Sequence, residues 1–330
     1  MHLSVRSGFF LSLKWKALLL SSITLILATG ALVTINHIEL RNQFEQRRAE
    51  LQSQYAHQVQ GLLDQSDKRL RQWSTIVASL LSVQATAEKQ LEERIITEFG
   101  RLAAILELDM GAESILLVSA NGQRLAAHGL DAHSDERAAL AKAIRQVVAT
   151  ESPTSLIDCF DTCLQYAIAP ILGTDDALVV AVSLADVVLD FQRVSGTDLG
   201  LLVSQTKPNP TNGNSERWLR RWNVRVVALV NAKTNLGTLR SATEAKPLSH
   251  AVREPVYVNA NGYEHEVRLF PLAGFKEREQ AYLATVADIS DAREKIRNAL
   301  RRNIFLGAIG LVLSELLLLA ILWTPMSRLR

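Results

Sequence analysis

The chain has 330 residues, and its 36 lysines and arginines nearly balance its 34 aspartates and glutamates, for a formal net charge of +2. No basic stretch with interleaved aromatic residues stands out, so nucleic acid is excluded as an expected partner. The length is sufficient for one or two domains with hydrophobic cores.

Two apolar stretches of twenty residues lie near the ends of the chain. Residues 17–36 carry no charged side chain, and residues 304–323 carry one, Glu315. Twenty residues of helix are about 30 Å long, which matches the hydrocarbon core of a bilayer. Both stretches are therefore predicted to span a membrane, and a cleaved signal peptide is the alternative for the first.

The charges that flank these spans predict their orientation. The short segment 1–16 carries Arg6, Lys14 and Lys16 and no acidic residue, which favours the cytoplasmic side. The tail 324–330 is also basic, while a group of arginines before the second span is a weaker opposing signal. Residues 37–303 are therefore expected outside the cytoplasm.

A proline-free helical pattern runs from Ile38 to about Glu107. Its apolar residues recur at spacings of three and four, which places them on one helix face. The first part, through Tyr55, is mostly polar with a narrow apolar seam, which favours a parallel homodimer; packing on its own domain is the alternative. The seam contains Phe44, Leu51 and Tyr55, and the face contains Tyr55, Val59, Leu62, Leu70, Trp73, Val77 and Leu80.

Beyond this helix the pattern is typical of an antiparallel sheet with helices beside it. Asn121-Gly122 predicts a hairpin turn with positive φ at both positions. Ser134 is a candidate cap for an amphipathic helix that runs to Pro153. The other predicted elements are strands at 155–160, 164–172, 177–184 and 198–204 and a helix at 184–196.

The only two cysteines, Cys159 and Cys163, flank three residues between two predicted strands. This spacing differs from the redox C-x-x-C motif, and no further ligand is near in sequence to complete a zinc site. Outside the cytoplasm such thiols are oxidised. A disulfide across a hairpin is therefore expected, with free thiols or a metal site as alternatives.

Residues 205–217 have the composition of a loop and are predicted to separate two sheet units. A second hairpin turns at Asn261-Gly262, and its returning strand from Tyr263 alternates apolar and charged residues, as in a half-solvated strand. The last strand of this unit leads directly into the second span.

Glu315 is the one ionisable residue inside either span. A carboxylate near the bilayer centre costs about 2.5 to 3.5 kcal/mol on insertion scales, so such residues usually have a protein partner. Thr24 of the first span lies at a similar depth and is the expected hydrogen-bond donor. The alternative partners are Ser314 and the Glu315 of a second subunit. A further alternative is that Glu315 has no partner and its side chain reaches toward the lipid headgroups.

Several segments resemble a known family of bacterial receptors. They are "LSLKWKALLLSSITLI" at the start, "LQYAIAPIL" after the cysteine pair, "SLADVV" and "VADISDA". In this order they resemble the double Cache sensor modules that are usually joined to diguanylate cyclase or cyclic-di-GMP phosphodiesterase domains. The tail "TPMSRLR" resembles the opening of a HAMP linker.

The resemblance implies an α+β fold in which two transmembrane helices bracket a long helix and two PAS-like antiparallel sheet units. It also implies a homodimeric receptor in the bacterial inner membrane, with an unknown small-molecule ligand and a cyclic-di-GMP output outside these 330 residues. The expected divisions are 1–16 cytoplasmic, 17–36 first span, 37–204 long helix and membrane-distal unit, 205–217 linker, 218–303 membrane-proximal unit and exit helix, 304–323 second span, and 324–330 HAMP-like.

No catalytic motif, metal-ligand spacing or cofactor motif is recognisable, so these residues are not expected to form an enzyme. The double Cache fold implies three candidate ligand-binding residues on the first sheet: Arg124, Gln165 and Tyr166. For each of them, a solvated strand residue is the alternative. A chemoreceptor or histidine-kinase sensor is the alternative function in the same class, and a membrane scaffold without a small ligand is the alternative in another class.

Overall fold

The computed structural model describes residues 13–85, 91–129, 138–159, 162–204, 215–272 and 281–323. The chain forms two compact units, Met1–Gln52 with Ser290–Arg330, and Ser53–Ile289. The helices are α1 Leu13–Ala85, α2 Leu91–Met110, α3 Ala138–Thr150, α4 Leu184–Ser195, α5 Ala232–Ala245, α6 Leu248–Arg253 and α7 Ser290–Trp323. The strands are β1 Ala112–Ser119, β2 Arg124–Gly129, β3 Thr154–Cys159, β4 Cys163–Ile171, β5 Asp176–Ser183, β6 Asp198–Ser204, β7 Trp218–Leu219, β8 Val224–Leu229, β9 Val256–Ala260, β10 Tyr263–Pro271 and β11 Ala281–Asp288.

The first sheet is antiparallel, with the strand order β2-β1-β5-β4-β3. Side chains alternate between its two faces, as strand geometry requires. One face packs on α1 and α2, where Leu81 and Phe99 join the core. The opposite face packs on α3 through Leu140 and Val147. The sheet is therefore buried between helices on both sides, with β2 and β3 as its edges.

The second sheet has the order β7-β8-β6-β11-β10-β9. One face contacts α1 and α4, where Val59 and Phe191 are buried. The other face is covered by residues of α5 and α6, among them Leu239 and Ala251. The α+β class with a long helix and two antiparallel sheets is thus confirmed.

The continuous helical pattern from Ile38 to Glu107 corresponds to two helices, because α1 ends at Ala85 and α2 begins at Leu91. Both helices contribute to the same core beside the first sheet. The predicted apolar face of α1 is also only partly correct. Trp73 and Leu80 are exposed, because they lie to one side of the buried row that contains Val59, Leu70 and Val77.

The strands before α4 begin and end within one or two residues of their predicted positions. Strand β6 corrects the expected domain division, because it pairs with β11 and β8 of the second sheet. The chain therefore leaves the first sheet before residues 205–217, at α4. Ser134 and residues 205–214 lie outside the described residues, as do most of 1–16 and all of 324–330.

The two Asn-Gly turns differ from each other. Asn261 and Gly262 both have positive φ, 54° and 82°, and connect β9 to β10 directly as predicted. In the first hairpin only Gly122 has positive φ, 88°. There the Asn121 side chain accepts a hydrogen bond from the Gln123 amide instead, so the loop is wider than the predicted two-residue turn.

Strand β10 is more buried than its alternating pattern indicated. Glu266 has no solvent exposure and His265 has only 7%. The reason is the position of β10 between β11 and β9, with helices over the sheet. A half-solvated strand was therefore the wrong prediction here.

In the unit formed by the chain ends, α1 and α7 pack side by side and antiparallel. Gly307 of α7 lies against Val33 and Thr29 of α1, where a Cβ atom would meet their methyl groups at 3.4 and 3.5 Å. Many of the apolar side chains outside this contact are exposed on both helices. Among the described residues, one helix is long and apolar enough to cross a membrane, the part of α1 that starts at Leu19.

Candidate functional site

Gln165 on β4 is the sequence-predicted site residue that lies at a cavity. Its side chain is only 3% exposed and points toward α1. Its Oε1 accepts a hydrogen bond from Ser66 Oγ at 2.7 Å, and its Nε2 donates to Asp67 Oδ1 at 3.4 Å. These bonds anchor the first sheet to the long helix at the border of the cavity.

Tyr166 and Arg124 do not join Gln165. Tyr166 follows Gln165 on the strand, so its ring lies on the opposite face, fully buried in the core beside α3. Arg124 is exposed at the start of β2, the other edge of the sheet. The structure therefore separates the three candidate residues.

The cavity beside Gln165 has a volume of about 520 Å³ and lies at β3, the free edge of the first sheet. This volume is within the range of small-molecule sites. One wall comes from α1 and the other from α3, and β3 forms the floor. The lining residues on α1 are Gln60, Leu63, Asp64 and Asp67; those on α3 are Ala139, Lys142, Ala143 and Gln146; those on β3 are Thr154, Ser155, Leu156 and Ile157.

The charges of the two walls have opposite sign. Asp67 forms an ion pair with Arg71, at 2.6 Å, and Asp64 accepts a hydrogen bond from Gln60 at 2.9 Å. On the α3 wall, Lys142 has no ion pair within the described part of the chain. The arrangement can therefore bind a ligand that carries both an acidic and a basic group.

A second cavity, of about 600 Å³, lies between α1 and α4. Asp186 and Asp190 line it, and Asp190 forms an ion pair with Arg193 at 3.1 Å. The pKa of Asp186 is raised, first by partial burial and then by the nearby Asp190 carboxylate, while Arg193 opposes the shift. Exposed Leu189 also lines this cavity.

Cys159 and Cys163 form the expected disulfide at the end of the cavity floor. They occupy directly opposite positions on β3 and β4, with a Cα–Cα distance of 4.0 Å. Both cysteines are 2% exposed and pack in one core with Leu63 of α1 and Leu184 of α4. The bond therefore joins β3 to the region where the chain leaves the first sheet.

The same core connects α1 to the second sheet. Tyr55 packs edge-to-face on Phe191, with ring centroids 5.8 Å apart, and its hydroxyl accepts a hydrogen bond from Thr197 Oγ1 at 2.9 Å. Just beyond, Asp198 accepts hydrogen bonds from Asn231 and Asn235 at the start of α5. Tyr55 therefore faces its own domain and is removed from the predicted dimer seam.

Glu315 has a different partner from the predicted one. Ser22 Oγ donates to Glu315 Oε2 at 2.9 Å, while the Thr24 hydroxyl donates to the carbonyl groups of Leu20 and Ser21 in its own helix. Ser314 likewise bonds to its own helix. The other oxygen, Oε1, is buried and has no hydrogen-bond partner among the described residues.

Within the described ranges, no group of three or more histidines, cysteines, aspartates or glutamates is placed to hold a metal ion.

A family model described as the double sensory domain of two-component sensor kinase matches residues 48–293. The chain belongs to this double Cache family. The match includes both sheets of the Cache module and the part of α1 that packs on them.

The chain is also similar to several solved structures at low sequence identity. The sensory domain of the Campylobacter jejuni chemoreceptor Tlp3 is 11% identical, covers 76% of this chain and 96% of its own, and has a TM-score of 0.44. The periplasmic domain of Vibrio cholerae LuxQ is 10% identical, with coverages of 72% and 97% and a TM-score of 0.37. The ligand-binding domain of Pseudomonas aeruginosa PctC, in complex with GABA, is 15% identical, with coverages of 74% and 100% and a TM-score of 0.36. No curated protein sequence matches the chain.

Proposed function

We propose that this chain is the sensory part of a transmembrane receptor, and that a small molecule binds outside the cytoplasm in the cavity between α1, α3 and β3. The observation that carries the proposal is this cavity, which is lined by Asp64 and Lys142 on opposite walls. It lies in the part of the chain that the sensory-domain family model matches. Binding there would draw α1 and α3 together across the edge of the sheet.

The signal is proposed to reach the cytoplasm through α1 and α7, the helices of the unit formed by the two chain ends. Helix α7 begins at Ser290, immediately after the second sheet, and its apolar part packs antiparallel on α1. This pairing supports residues 304–323 as a second membrane span beside 17–36. A small change in the Ser22–Glu315 contact would then shift the packing of the two helices, which is a common means of transmitting a signal.

The output is proposed to be that of a two-component sensor kinase or a chemoreceptor. The family description names sensor kinases, and the solved structures that share the fold include chemoreceptor domains. This favours the alternative over the cyclic-di-GMP output and HAMP linker implied by the sequence resemblance. The proposal also includes location in the inner membrane and a sensor outside the cytoplasm. The receptor is proposed to be a homodimer in which the two α1 helices are in contact at Phe44 and Leu51.

Thermal melting of the full chain in detergent with a panel of amino acids, organic acids, amines and short peptides tests the proposal. A ligand that binds only the folded state at 100 times its Kd stabilises it by about 2.7 kcal/mol. Ala143→Trp should fill the cavity and abolish the stabilisation, whereas Ala149→Trp, exposed on the same helix, should not. A ligand shift that is equal in both variants would move the site elsewhere, and the absence of any shift across the panel would favour the scaffold.

A further inference from the structure

The cavity runs along the edge of β3 and does not lie on one face of the sheet. Leu156 packs in the core beside α3, and Ile157 packs in the core that contains Leu63 of α1. Because side chains alternate along a strand, Thr154 lies on the side of Leu156 and Ser155 on the side of Ile157. All four nevertheless line the same cavity. A space that reaches consecutive residues of a strand must adjoin its backbone.

The outward main-chain groups of β3 can be assigned from the disulfide position. In an antiparallel pair, opposite residues alternate between hydrogen-bonded pairs about 5.5 Å apart and non-hydrogen-bonded pairs about 4.5 Å apart. The Cα–Cα distance of 4.0 Å between Cys159 and Cys163 indicates a non-hydrogen-bonded pair. By alternation, Ile157 and Ser155 also direct their N–H and C=O groups away from β4 and into the cavity.

These groups are available for hydrogen bonding. Within the described part of the chain, the outward backbone groups of Ser155 and Ile157 have no partner. Two residues of extended strand rise about 6.6 Å. The floor of the cavity therefore presents two N–H and C=O pairs whose spacing equals the two-residue repeat of an extended peptide. Peptide ligands that add a strand to a sheet edge use this pattern of main-chain hydrogen bonds.

The walls limit the ligand to a short peptide with free ends. Apolar Leu63 and Ala143 face the space on either side, where alternate side chains of an added strand would project. Lys142 on one wall suits a terminal carboxylate, and Asp64 on the other suits a terminal amine. A volume of about 520 Å³ has room for only a few residues.

We propose that the ligand of this site is a free peptide of about three to four residues that binds as an extra strand on the outer edge of β3. The inference rests on the proposed sensory function and specifies its ligand class. The decisive contacts are main-chain hydrogen bonds to Ser155 and Ile157, so side-chain identity contributes less than an extended backbone with charged ends.

The test uses the full chain in detergent, a pool of tetrapeptides, and calorimetry on the strongest binder. Methylation of the peptide's amide nitrogens should weaken binding about 10-fold or more, because the methylated backbone cannot donate to β3. Ser155→Pro should have a similar effect, because it removes an outward N–H and leaves the bonds to β4 in place. Ser155→Ala, the control, should change the Kd less than about threefold.

Binding of the N-methylated peptide within threefold of the parent would overturn the proposal, and this arm requires no protein variant. A free amino acid that binds with the same Kd to wild type and Ser155→Pro, and is lost in Ala143→Trp, would also overturn the peptide class. That result would leave the sensory function intact. Failure of every tetrapeptide in the pool would reject the peptide class too, while the wider melting panel decides the sensory function separately.

Discussion

Reduction of the Cys159–Cys163 disulfide should destabilise the sensory unit by a small, calculable amount. The bond closes a loop with three residues between the cysteines. The loop-entropy relation gives about 2 kcal/mol at 25 °C for a ring of this size. For a unit as large as Ser53–Ile289, each kcal/mol corresponds to about 2 to 4 °C in Tm, so a decrease of about 4 to 8 °C is expected on reduction.

The assay is thermal unfolding of the full chain in detergent, followed by near-ultraviolet circular dichroism, with the thiol content determined by mass spectrometry before and after reduction. The double substitution Cys159→Ala/Cys163→Ala is the companion variant. It should lose more stability than reduction does, because it also removes two buried sulfur atoms from a packed core. A fully reduced protein that melts within about 1 °C of the oxidised one would refute the reasoning, since the hairpin would then need no closure.

Three further predictions concern other parts of the molecule. The pKa of Asp186 is raised above its ordinary value of 3.8, so ionisation of this carboxyl group lowers the stability of the folded state as the pH rises from 3.8 through the folded-state pKa. Asp186→Asn should therefore gain stability relative to wild type as the pH is raised from 3.5 to 7, and a difference in Tm that stays constant over this range would contradict the prediction. Ser22→Ala removes the donor to Glu315 and should shift the signalling output without ligand in the same direction as Glu315→Leu. Glu315→Gln keeps an acceptor and should signal almost normally; output equal to that of wild type from all three variants would show that the contact is passive. Single cysteines at Phe44 and Leu51, in a background without the native cysteines, should crosslink between subunits, and positions half a helical turn away should not.

Much of the fold could be predicted from sequence because its patterns are local. Alternation and turn residues place β3, β4 and β5 within one or two residues of their observed positions. The partner sheet of a strand is not a local property, however. Strand β6 precedes a long loop in sequence but pairs with β11 and β8, which lie beyond that loop.

The candidate site was harder to predict, because it combines distant segments. Gln165 carries a useful signal, a polar residue in an apolar strand run, but its partner Ser66 on α1 is about a hundred residues away in sequence. Tyr166 has the same local signal and lies on the opposite face. Lys142 is an ordinary exposed residue of an amphipathic helix, and only the arrangement of α3 beside β3 places it at a cavity.

The contact between Glu315 of α7 and Ser22 of α1 shows the same limit at smaller scale. Depth along the two predicted spans favoured Thr24 as the partner of Glu315, but depth does not specify which side of the helix a residue faces. Thr24 lies only two positions from Ser22, and a rotation of about 200° separates their side chains. Ser22 therefore makes the bond while Thr24 bonds to its own backbone.

Hydrogen–deuterium exchange of the full chain, with and without a compound that raises its Tm, tests the central claim most directly. Occupancy of the cavity predicts slower amide exchange in β3, with the strongest protection at Ser155 and Ile157, and in the facing parts of α1 and α3. Protection confined to α4 and the cavity lined by Asp186 and Asp190, with β3 unchanged, would contradict the account and place the ligand in the second cavity.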